Sequence, residues 1–120
     1  MKQNLNERTT EFALRIIRMY STLPKTNVVA QVLGKQVLRS GTSVGANYRE
    51  ASRGRSNPES IAKIGDCLRE TAETEYWLEL LVRSNRVQKS KMQQLLNESG
   101  ELIAIFTTIG RKVTERGKST

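Results

Sequence analysis

In the last third of the chain, Met92, Leu95, Ser99, Leu102, Phe106, Ile109 and Val113 step by three and four without a break. A helix completes a turn in about 3.6 residues, so this spacing lines one face of a single helix. Ile61, Ile64, Leu68, Thr71, Glu75, Leu78 and Val82 repeat the pattern upstream, and Ala30, Leu33, Val37, Ser40, Val44, Asn47 and Ala51 repeat it again. Leu5, Phe12, Ile16, Met19 and Leu23 form a fourth row. Strict alternation never persists, so strands are not expected.

Breaks between the rows are few. Pro24 follows Leu23, Pro58 sits in Ser56-Asn57-Pro58-Glu59, and Ser84-Asn85 separates the last two rows. These marks predict helices over about residues 6–23, 26–52, 58–83 and 90–115. Asn57 suits the N-cap of the third helix, with Pro58 at its first position and Glu59 at the positive end of its dipole. Ser90 suits the cap of the fourth. Short connections make neighbours antiparallel, so the expected fold is all-α: one up-down-up-down four-helix bundle over residues 1–120.

Only 37% of the residues are hydrophobic and 5% aromatic, so the core must use narrow helical stripes or share burial with copies of the chain. Second apolar rows (Ile17 and Tyr20; Cys67, Trp77 and Leu81; Leu96, Ile103 and Ile105) fit either ordinary core packing or contact with another subunit. A homo-oligomer is expected.

The composition weighs against catalysis. Histidine is absent, which removes the usual general base, triad partner and metal ligand. The one cysteine, Cys67, can form no internal disulfide and has no second thiol with which to share a metal. No cofactor, metal or small-molecule substrate is expected. An enzyme would have to rely on Glu70, Glu73 and Glu75. No apolar run approaches the roughly 20 residues of a membrane span. The polar opening, MKQNLNERTTE, does not read as a secretory signal, so the cytoplasm is the expected compartment.

Ser40, Asn47, Thr71, Glu75 and Ser99 fall on the apolar seams, where a polar group without a partner costs about 1–3 kcal/mol. If the second and third helices are antiparallel, level residues have numbers summing to about 110. That sets Ser40 beside Thr71, Gln36 beside Glu75, and Arg39 beside Glu70 or Glu73. A cross-helix network of Arg39, Ser40, Asn47, Thr71, Glu73 and Glu75 is thus available, for register or for a site. Register is the favoured reading. Gly41-Thr42-Ser43-Val44-Gly45-Ala46 is unusual within a helix, where each glycine costs about 1 kcal/mol relative to alanine. It marks a bend or the close approach of another backbone. It lacks the Gly-Lys-Ser/Thr ending of a phosphate loop.

The net charge is +8, from 20 Lys+Arg against 12 Asp+Glu. The third helix is net acidic, while the segments on either side are net basic. Arg49, Arg53 and Arg55 end the second helix, and Arg111, Lys112, Arg116 and Lys118 cluster near the C-terminus. In an up-down bundle these two groups share one end. Such an end attracts polyanions, RNA or DNA, through backbone phosphates and with little regard for sequence. The same asymmetry suits a protein–protein adaptor that never touches nucleic acid.

Leu38-Arg39-Ser40-Gly41-Thr42-Ser43-Val44-Gly45-Ala46-Asn47, continuing through Arg49-Glu50-Ala51, resembles the signature of the bacterial four-helix bundle proteins. These are also called the 23S rRNA-intervening-sequence protein family, or S23 ribosomal proteins. Glu73-Thr74-Glu75-Tyr76-Trp77-Leu78-Glu79-Leu80-Leu81 and Phe12-Ala13-Leu14-Arg15-Ile16-Ile17 are similar to matching segments of that family. The resemblance implies an antiparallel bundle assembling as a ring-like homopentamer, with no established catalytic residues to carry over.

Overall fold

The helical rows emerge as four long helices in a computed structural model that describes residues 4–54 and 56–119, with side chains to Glu115. Helix α1 spans Leu5–Ser21, α2 Val28–Ser52, α3 Asn57–Arg83 and α4 Lys89–Ser119, with no strand among the described residues. Each of the first three starts at a side-chain cap. Asn4 accepts from the Glu7 amide at 3.1 Å, Asn27 from Ala30 at 3.0 Å, and Ser56 from Glu59 at 3.2 Å.

The caps correct two sequence expectations. Ser56, rather than Asn57, caps α3, because its extended backbone aims the hydroxyl at the open amides of the first turn. Asn57 is instead helical, and its Nδ2 donates to the Val113 carbonyl of α4 at 3.2 Å. Ser90 lies inside α4, which begins one residue earlier. The expected bounds otherwise shift by a few residues: α1 stops at Ser21, and α2 waits for its Asn27 cap.

Burial follows the rows. Phe12, Ile16, Val37, Val44, Cys67, Leu78, Leu81, Met92, Leu102 and Phe106 are all within 1% of complete burial. In α4 the buried row is Met92, Leu95, Ser99, Leu102 and Phe106, with Ile109 half-buried beyond it. In α3 the row departs from expectation by one step. It runs Ile64, Cys67, Thr71, Thr74, Leu78, Leu81, so Cys67, Thr74 and Leu81 take the interior places given to Leu68, Glu75 and Val82. A threonine hydroxyl can return its proton to its own helix, whereas a carboxylate there would need a partner charge.

Contacts between helices set the register. Along α2 and α3 residue numbers rise on one helix as they fall on the other: Arg39 meets Glu73, Ser40 meets Thr74, Val44 meets Cys67, and Glu50 meets Lys63. The glycines of α2 face α1. A Cβ at Gly34 would stand 2.5 Å from Leu23 Cδ1, at Gly41 2.9 Å from Ile16 Cδ1, and at Gly45 3.1 Å from Thr9 Oγ1. The small-residue stretch is thus a site of close helix approach. Between α1 and α4 the ties are polar: Arg8 grips Glu98 with two bonds of 2.7 and 2.8 Å and reaches Glu101 at 3.0 Å, and Arg15 donates to Gln94 at 2.8 Å.

Asn85 closes α3 at φ 64°, the left-handed region, while Arg86 and Val87 return amides to the Leu81 carbonyl at 2.9 and 3.2 Å. A β-branched residue is strained there by about 1–2 kcal/mol. Asn85→Val should lower the unfolding free energy by that amount in urea titration, while Asn85→Gly should leave it at or above wild type.

Candidate nucleic-acid interface

The polar layer between α2 and α3 forms only in part as expected. Arg39 donates to Glu73 at 2.6 Å and to Glu70 at 3.3 Å, and Glu73 leads the carboxylates that hold its guanidinium above the usual value. Ser40 meets Thr74, with Oγ atoms 2.7 Å apart, both fully buried. Thr71 and Asn47 stay out of the cross-helix contact. Each donates to its own helix, Thr71 to the Cys67 carbonyl at 2.7 Å and Asn47 to the Ser43 carbonyl at 3.1 Å. Glu75 lines a groove with Glu79, Val82, Arg83, Lys89 and Leu96, on the α4 side. The three glutamates weighed as an acidic site are therefore divided between two flanks of α3. Among the described residues, no three His, Cys, Asp or Glu side chains gather in a way that could hold a metal.

Cys67 is wholly buried, and burial pushes its thiol up to about 12. The thiolate is the reactive form, so native Cys67 should be modified by a thiol reagent at pH 8 only as fast as the fold opens. The sign for stability is fixed by the same shift. A raised thiol favours the folded state below its ordinary value of 9.0, and that contribution is lost as pH climbs from there through about 12. Reaction at the rate of an exposed thiol would contradict the burial.

The cationic end predicted from sequence has a structural basis. The Asn57–Val113 bond ties the start of α3 to the end of α4. A groove lined by Tyr48, Ala51, Ser52, Ser60, Ile64, Ile109 and Val113 then brings the end of α2 to the same place. We call this the terminal pole. Arg49 is exposed and donates to Thr10 Oγ1 at 3.2 Å, fastening α2 to α1. Arg53, Arg111 and Lys112 are exposed and have no side-chain hydrogen bond or ion pair among the described residues. Arg55 and the side chains of Arg116 and Lys118 lie outside the described residues. Carboxylates interleave with these cations: Glu50 is paired with Lys63, and Glu115 is exposed on the last turns of α4.

A second group of cations was missed. The α2–α3 and α1–α4 registers direct Arg18, Lys25, Lys35, Arg83, Arg86, Lys89 and Lys91 toward the opposite end, the loop pole, where Arg83 and Lys89 line one groove and Lys25 another. One signal was available: no Asp or Glu occurs between Glu11 and Glu50, nor between Glu79 and Glu98.

Residues 1–108 match the family described as 23S rRNA-intervening sequence protein. The chain belongs to that family. The match confirms the resemblance read from the α2 and α3 segments. A similar solved structure comes from Bacteroides thetaiotaomicron VPI-5482, a protein of unknown function from the S23 ribosomal protein family. It is 38% identical, covers 88% of this chain and 97% of its own, and superposes with a TM-score of 0.80. No curated protein matches. The family match ends before Arg111 and Lys112, whereas the whole loop pole lies within it. Among the described residues of this 23S rRNA-intervening sequence family member, no helix is long and apolar enough to cross a membrane.

Proposed function

We propose that the protein is a non-enzymatic, cytoplasmic four-helix bundle that binds nucleic acid through the phosphate backbone at its terminal pole. The observation that carries this is the set of exposed, unpaired Arg53, Arg111 and Lys112 beside the α2–α3–α4 junction. Unpaired surface cations release counterions when they neutralise phosphates, which is the main source of sequence-independent affinity. An up-down-up-down antiparallel course is part of the reading, and the opposed numbering of the α2–α3 contacts supports it. Catalysis is not proposed: Glu70 and Glu73 are engaged by Arg39, which suits a register device better than a reactive pair.

Self-association belongs to the same proposal. Leu14 and Ile17, 44% and 43% exposed, lie one turn apart on α1, and the family resemblance implies a pentameric ring. Light scattering coupled to gel filtration tests it; a monomer at all concentrations would remove the ring. A gel shift with structured RNA tests the terminal pole. Arg53→Ala/Arg111→Ala/Lys112→Ala should weaken binding at least tenfold and reduce its salt dependence. Unchanged binding by the triple variant would exclude this surface.

A further inference from the structure

We infer that the loop pole is a second nucleic-acid-binding surface, one that takes the phosphate backbone of a duplex independently of the terminal pole. The register places it. Arg39–Glu73 and Ser40–Thr74 set the beginning of α2 beside the end of α3, and Arg15–Gln94 sets the end of α1 beside the beginning of α4. Continuing each register by one turn brings Lys35 level with Leu78, and Arg18 level with Lys91.

Most of the charge there is uncompensated. The side chains of Lys25, Lys35, Arg86, Lys89 and Lys91 are exposed and make no hydrogen bond or ion pair among the described residues. Arg18 pairs with Glu11 and Arg83 with Glu79, both at distances of 3.0 to 3.6 Å and both well exposed. Glu75 and Glu79 line the groove that holds Lys89. The terminal pole likewise mixes Glu50, Glu59 and Glu115 among its cations. The loop pole is thus an attractor of polyanions in its own right.

Its shape and chemistry point to a backbone rather than to bases. Tyr20 donates its hydroxyl to Gln31 at 2.9 Å and packs its ring against Gly34, while Tyr76, 54% exposed and two residues before Leu78, has its ring tilted on Trp77 at 5.1 Å. Both rings are engaged with neighbouring residues and make no row of stacking platforms of the kind single-strand binders use. The molecule is 54 Å long and 23 by 21 Å across, so each pole spans about six base pairs at roughly 3.4 Å per step. The α3–α4 turn that carries Arg86 is pinned by the Leu81 carbonyl, which limits the ordering that binding must impose. Val28 and Val32, 74% and 56% exposed, stand at the same pole, but they are small, and no Trp or Phe accompanies them for insertion into a lipid interface.

The inference shares with the proposed function only the idea that phosphates are the ligand, and two variants separate them. Binding of a short duplex RNA is followed by fluorescence anisotropy for wild type, for Lys25→Ala/Arg86→Ala/Lys89→Ala/Lys91→Ala, and for the terminal-pole triple variant. The quadruple variant should lose at least tenfold in affinity, and its plot of log affinity against log salt should flatten by about 2 to 4. Circular dichroism should show unchanged helix, since all four positions are exposed. If the quadruple variant binds as wild type and the triple variant does not, the inference falls and the terminal pole stands. If only the quadruple variant loses binding, the loop pole stands and the terminal-pole reading falls. Retention by phosphatidylserine vesicles at a salt concentration where duplex RNA is not held would overturn the nucleic-acid assignment.

Discussion

Gly45→Leu should lower the unfolding free energy by about 3 kcal/mol or prevent folding altogether. Gly45 is buried in the middle of α2, and a Cβ there would already stand 3.1 Å from Thr9 Oγ1, 3.3 Å from Thr9 Cβ and 3.6 Å from the Thr9 carbonyl carbon. The Thr9 side chain limits the space, and its Cβ is fixed to the α1 backbone. A leucine adds three more carbons into that gap, so α1 must move outward. Movement would also strain the Arg49–Thr10 bond and the grip of Arg8 on Glu98. Gly65 is the internal control. It lies in α3, is exposed, and a Cβ there meets nothing within 4 Å. Gly65→Ala should therefore gain up to about 1 kcal/mol from helix propensity alone. Urea titrations of the two variants should move in opposite directions. A tolerated Gly45→Leu would show that α1 does not pack closely on α2.

Phe106→Ala should cost about 3–5 kcal/mol in the same measurement. The ring is fully buried among the apolar rows of the bundle, and Tyr48 lies against it with centroids 6.1 Å apart. Removing it leaves a cavity that straight helices, joined by short turns, cannot collapse to fill. Tyr76 is the contrasting aromatic residue. It is 54% exposed, so Tyr76→Ala should change stability by under about 0.5 kcal/mol. Similar losses at the two positions would mean that Phe106 does not anchor the interior.

Phe106 was readable from sequence because its neighbours at three and four residues are all apolar or small. The error in α3 arose where that condition fails. From Thr71, the period permits either Thr74 or Glu75 on the way to Leu78, and spacing alone does not choose between them. The cost of burying a carboxylate does, and it favours Thr74. Ser56 and Asn57 presented a similar choice, since both side chains cap well and only the backbone angles separate them.

Charge was harder to read than packing. Arg49 and Arg53, or Arg111 and Lys112, sit together in the chain and so attract notice. Lys25, Lys35, Arg86 and Lys91 are scattered through it and converge only once the register is known. The long stretches without Asp or Glu were the available clue, since each spans a turn between helices at that pole.

Unpaired surface cations that neutralise phosphates are the basis of the proposed binding. The direct test is the affinity of the wild-type chain for duplex RNA between roughly 50 and 200 mM salt. The expected result is a straight line of log affinity against log salt with a slope of about −3 or steeper, equal for unrelated sequences. A flat line, or the absence of binding even at the lowest salt, would contradict it.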